Sequence, residues 1–75
     1  MDETLKLIIT FNVTADAISL EKNFKDQGID GRLISIPRQL SAGCGLAYQV
    51  GEGFEEKAEE TIRTLKLNVS KLHRI

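Results

Sequence analysis

The chain has one cysteine, Cys44, and it stands in the segment Pro37-Arg38-Gln39-Leu40-Ser41-Ala42-Gly43-Cys44-Gly45. A thiol reacts as its thiolate, so its chemistry is set by access and by nearby positive charge. Gly43 and Gly45 bring no side chains to shield the sulfur. They also permit positive φ, so that successive amides around Cys44 can form an anion-binding nest. Arg38, Ser41, Gly43, Gly45 and Pro37 are therefore the candidate binding residues around Cys44, with the guanidinium of Arg38 favouring thiolate. A free cysteine is also often a small buried hydrophobe, and glycine on both sides weakens that alternative by supplying no packing partners. Ser41 reads as a turn or capping serine, since no His-Asp constellation is visible to activate it as a nucleophile. His73 is the one histidine, and one His with one Cys falls short of a zinc site, so neither a metal nor another cofactor is expected. Gly51 to Gly53 holds no GxGxxG fingerprint for a nucleotide.

The elements that position this loop must come from a short chain. Its 75 residues have room for one core, so residues 1–75 read as a single domain. A composition of 41% hydrophobic and 28% charged residues excludes both a disordered polyelectrolyte and a membrane protein. No apolar run approaches the roughly 18 residues that span a bilayer, and the opening Met1-Asp2-Glu3-Thr4 is acidic where a signal peptide is basic. A cytoplasmic protein is expected, with Cys44 held as a free thiol by the reducing pools. Ten basic residues against eleven acidic ones give no bulk attraction for nucleic acid, and neither nucleic acid nor membrane is expected as a partner. The Lys66, Lys71, His73, Arg74 cluster reads as a solvated terminus.

Leu5, Leu7, Ile9 and Phe11 alternate with Lys6, Ile8, Thr10 and Asn12, which predicts a first strand with one face in a core. Thr14 then reads as a helix cap and Asp16 as a partner for the positive end of the dipole, with Ala17, Leu20 and Phe24 at helical spacing and Gly28 as the stop. A second strand runs from about Ile29 to Ile36, where Pro37 closes it, its faces ambiguous around Gly31. Leu46, Tyr48 and Val50 form one side of a third strand. Phe54, Ala58, Ile62 and Leu65 mark the stripe of a second helix, with Glu59 and Arg63 paired on its polar side. Val69 to Leu72 reads as a last strand. The order β-α-β-β-α-β predicts an α+β, ferredoxin-like sandwich, an antiparallel sheet with two helices on one face. The opposite face must then be polar, covered or used for association. Ile8 on that face, in a chain with no disulfide to staple it, points to a homodimer through the open sheet face.

Hairpins usually need two to five connecting residues, yet eight or nine separate Ile36 from Leu46. The excess, in a segment of such composition, points to function. Right-handed crossovers bring the end of the second strand to the sheet edge that holds the end of the first and the start of the first helix. A loop folded over that edge would place Cys44 near the helix N-terminus, lowering its pKa.

The stretch Pro37-Arg38, Ser41, Gly43-Cys44-Gly45-Leu46 resembles the core motif of the putative selenium/sulfur carrier protein-like family. The similarity extends over nearly the whole chain, through Phe11, Ala17, Glu21 and Lys22 as well. What the resemblance implies is a small carrier that holds sulfur or selenium on Cys44 as a persulfide or selenosulfide. Its partners would be a donor protein and an acceptor protein. The family is associated with sulfur carriers whose Cys-Pro motif opens a helix, whereas Cys44 is followed by Gly45. A carrier, rather than an enzyme, is thus the leading reading. The alternatives are a non-catalytic module binding a small anion or a partner protein through an unreactive Cys44, and a thiol-redox sensor. A dithiol oxidoreductase would need a second cysteine.

Overall fold

The structure is a computed structural model and describes residues 6–38, 40 and 45–74. Its elements are β1 (Leu7–Thr10), α1 (Thr14–Asp26), β2 (Gly31–Ser35), β3 (Leu46–Val50), α2 (Glu55–Leu65) and β4 (Lys71–Arg74). The strands form one antiparallel sheet in the order β2-β3-β1-β4, the ferredoxin-like α+β arrangement that the element order predicts.

Leu7 and Ile9 of β1, with Phe11 just beyond its end, alternate onto the helix side of the sheet, where they meet Ala17, Leu20 and Phe24 of α1 and Ala58 of α2. Tyr48 and Val50 join them from β3, and the Tyr48 ring stands edge-on to Phe24 at 5.3 Å and 89°. β1 is the inner strand between β3 and β4, and all four of its residues are buried.

The register resolves the ambiguity around Gly31. Gly31, Leu33 and Ser35 stand opposite Val50, Tyr48 and Leu46, on the helix side, while Arg32 and Ile34 share the other face with Gln49 and Ala47. A Cβ on Gly31 would come within 2.6 Å of both the Gln49 carbonyl oxygen and the Tyr48 ring, so a side chain there would push the ring out of the core.

Gly28 ends α1 as expected. At φ +74 it lets its own N–H donate to the Lys25 carbonyl and the Ile29 N–H to the Phe24 carbonyl, which tucks Ile29 into the core. α2 ends in the same way with the Leu67 N–H donating to Ile62, but its left-handed residue is Lys66, at φ 53 and ψ 48.

Four local expectations are corrected. Thr14 is the first helical residue, not the cap; Val13 holds the cap position and no side chain bonds to the free amides. Leu65 is 43% exposed, and the fourth position of the inward stripe belongs to the buried Thr61 instead. Glu59 pairs with Arg74, not with Arg63, because β4 lies beneath α2 and offers it a cation across the layer. β4 itself lies two residues later than the apolar run Val69 to Leu72 suggests. Leu67 and Val69 pack on the core from the connection, and the Ser70 N–H donates to Thr10 just before the strand begins.

Candidate functional site: the base of the β2–β3 hairpin

Ser35 opposite Leu46 is the last registered pair of the hairpin, and beyond it the Ile36 N–H donates to the Gly45 carbonyl at 3.0 Å. The connection that carries Cys44 is therefore closed at its base by a ladder bond, between Ile36 and Gly45. Pro37 is half-buried at this base, and its carbonyl accepts the Leu40 N–H at 2.9 Å. That bond turns the chain immediately after the strand, as a residue lacking its own N–H allows. Arg38 is exposed. Gly45 is also exposed, with φ +75 and open space where a Cβ would stand, so its requirement for glycine comes from the backbone angle and not from crowding.

Of the expected site residues, the structure brings Pro37, Arg38 and Gly45 to one end of the sheet. Ser41, Gly43 and Cys44 lie outside the described residues, and with them the expected approach of Arg38 and the helix terminus to the thiol.

The position of the base agrees with the crossover argument. Ile34 stands opposite Ala47, Ala47 opposite Thr10, and Thr10 opposite Lys71, so the hairpin base, the end of β1 and the start of β4 share one end of the sheet. α1 begins four residues after Thr10, at Thr14, with Asp16 in its first turn and its early amides uncapped by side chains.

Away from the hairpin, the side chains on the sheet face turned from the helices were not resolved by periodicity. They form two rows, Arg32, Gln49, Ile8 and His73, and Ile34, Ala47, Thr10 and Lys71. The centre of this face is enclosed, with Ile8 only 2% exposed and Thr10 and Ala47 also buried. Nε2 of His73 is sealed from solvent with no hydrogen-bond partner among the described residues. Such an atom is costly to leave unpaired. The signal that could have found these rows was the register itself, which a glycine-led edge strand hides.

Among the described residues, the one clear electrostatic perturbation lies on the helix side. Burial raises the Tyr48 hydroxyl above its ordinary value of 10.0, and the carboxylates of Glu21 and Asp30 raise it further. An open depression of about 260 Å³ between Gln27 and the α2 residues Lys57, Glu60, Thr61, Thr64 and Leu65 also lies on that side. Among the described residues, no group of three or more His, Cys, Asp or Glu converges as a metal site. No described helix is long and apolar enough to cross a membrane.

The fold defines a small ferredoxin-like α+β protein with its one cysteine, by sequence, in the connection between β2 and β3, whose two ends meet at one end of the sheet. A family model described as putative Se/S carrier protein-like matches residues 6–74, and the chain belongs to that family. No curated protein and no solved structure matches it.

Proposed function

We propose that the protein is a sulfur or selenium carrier, with Cys44 as the carrying thiol. The observation that carries this reading is the family match over residues 6–74, which spans the hairpin with the chain's one cysteine. The hairpin base supports it: a ladder bond fixes the two ends of the connection, and Arg38 and Gly45 are exposed beside it. A thiol that must meet a donor and then an acceptor needs such a rigid platform and an open approach.

In the sulfur reaction, the Cys44 thiolate attacks the outer sulfur of a donor persulfide. A new S–S bond forms on Cys44, the donor's S–S bond breaks, and the electron pair leaves on the donor thiolate. The exchange needs no external oxidant, because the transferred sulfur is already at the sulfane level. An acceptor nucleophile then takes the outer sulfur and Cys44 leaves as thiolate. Selenium follows the same path as a selenosulfide. Arg38 and the glycine-rich amides favour the anionic forms, and α1's uncapped N-terminus lies at the same sheet end.

The test is intact mass after incubation with a cysteine desulfurase and cysteine, or with a selenium donor. The reading expects an added sulfur or selenium atom on the wild-type chain, removed by a thiol reductant and absent from Cys44→Ser. The electrostatic part predicts that the alkylation rate of Cys44 titrates with a midpoint below the free-cysteine value of about 8.5. A midpoint at or above that value removes it.

A further inference from the structure

The sheet ends in two edge strands of opposite character. β4 carries Lys71, His73 and Arg74 among its four residues, a charged edge of the kind that resists pairing with another strand. β2 is the other edge, and Gly31–Ser35 hold one charge, Arg32, and no proline. The bonds at either end of the hairpin fix which of these residues point outward. The Ile36 N–H donates to Gly45 and the Gly51 N–H to Asp30, so Asp30, Arg32, Ile34 and Ile36 turn their backbone groups to β3. Gly31, Leu33 and Ser35 turn theirs away from the sheet, where none of them bonds to another described residue. α1 runs alongside. Gln27 borders the depression shared with α2, and Ile18, nine positions back and so on the opposite flank, is turned toward the β2 edge. Ile18 is 56% exposed, and Glu21 and Lys25 share that flank with both signs of charge.

We propose that the β2 edge pairs antiparallel with β2 of a second copy of this chain, about a two-fold axis at Leu33, joining two sheets into one. The proposal rests on the backbone and is independent of the carrier reading. Leu33 is the middle residue of β2, so Leu33 bonds its own mate while Gly31 and Ser35 each bond the other residue of the partner subunit. All three outward residues are then used. The contact is isologous and closes at two copies, whereas β2 on β4 would run head-to-tail into open chains. β4 on itself would set Lys71 and Arg74 against the like charges of its mate. Across the two-fold the α1 flanks run antiparallel, which draws Ile18 toward cover and brings each Glu21 within about a turn of the partner's Lys25. A strand from a different protein could satisfy the same amides, but the symmetry of the outward residues about Leu33 fits a second copy. A 75-residue domain with no disulfide to staple it also gains from such a partner. The two connections that carry Cys44 then start from opposite ends of the joined sheet, so each copy keeps its own.

The test is sedimentation of the full chain under reductant, from micromolar to millimolar concentration, joined to amide hydrogen exchange by NMR. The mass should rise from 8.3 kDa toward twice that value. Over the same range the Leu33 and Ser35 amides should become protected, while those of Arg32 and Ile34, already bonded to β3, should not change. Ser35→Pro removes an N–H that β3 does not use, so it should keep the fold and weaken the dimer by about tenfold or more. Ile18→Asp, at an exposed site, should weaken it by less and serves if the proline unfolds the chain. Leu72→Gln on the other edge should leave it unchanged. A chain that stays monomeric throughout overturns the proposal, as does a dimer whose Leu33 and Ser35 amides exchange as freely as the monomer's. A dimer broken by Leu72→Gln but not by Ser35→Pro or Ile18→Asp also overturns it. Cys44→Ser should dimerise as the wild type does, so loss of sulfur loading and loss of pairing are separate failures.

Discussion

Tyr48 ties the core to alkaline pH. Its pKa is raised in the folded chain, so the neutral form is favoured there, and the stability this represents is complete below the ordinary value of 10.0. As pH rises past that value the unfolded chain ionises first, and stability is lost as pH climbs toward the folded pKa. Urea unfolding should show a steeper loss above about pH 10 for the wild type than for Tyr48→Phe. As the chain's only tyrosine, its titration is directly readable from tyrosinate absorbance. Gly31 is the second sensitive residue. Gly31→Ala forces a methyl into the Gln49 carbonyl and the Tyr48 ring and should cost about 2–3 kcal/mol in chemical denaturation. Sequence showed Gly31 only as an interruption, because the reason for it is a ring from another strand. It misassigned Thr14 for a similar reason: a threonine suits both the cap and the first turn, and only the backbone angles of Val13 decide between them.

At the scale of the elements, order and topology were legible because each half sets an alternating strand before a helical stripe, although only the first helix ends on a glycine. What was not legible depends on neighbours across the layers. β4 carries little apolar signal, being an edge strand in which Lys71 and His73 turn one way and Leu72 and Arg74 the other, so the apolar residues before it drew the expected boundary two residues early. The two helix ends supply a matched comparison. Gly28 takes positive φ freely where Lys66 carries the strain of a Cβ, so Lys66→Gly should stabilise the chain by about 0.5–1 kcal/mol. The Arg74–Glu59 pair joins β4 to α2, but both side chains are substantially exposed. Arg74→Ala should accordingly cost less than about 1 kcal/mol, and less still at high salt.

For the whole molecule, the excess length and glycine content of the hairpin connection pointed to a site from sequence alone, and the fold puts the base of that connection at the sheet end with the start of α1. The second sheet face was expected to be polar, covered or associating. It is enclosed at its centre and cationic at its edges, and neither property could be read before the register of β2 was known. The carrier account turns on whether Cys44 accepts a sulfane atom from a protein donor. Intact mass spectrometry of the chain after reaction with a cysteine desulfurase and cysteine measures this directly. The account predicts the added mass of one sulfur atom, reversed by reductant and missing in Cys44→Ser; an unmodified wild-type chain that also refuses selenium from a selenium donor, or the same added mass on Cys44→Ser, would contradict it.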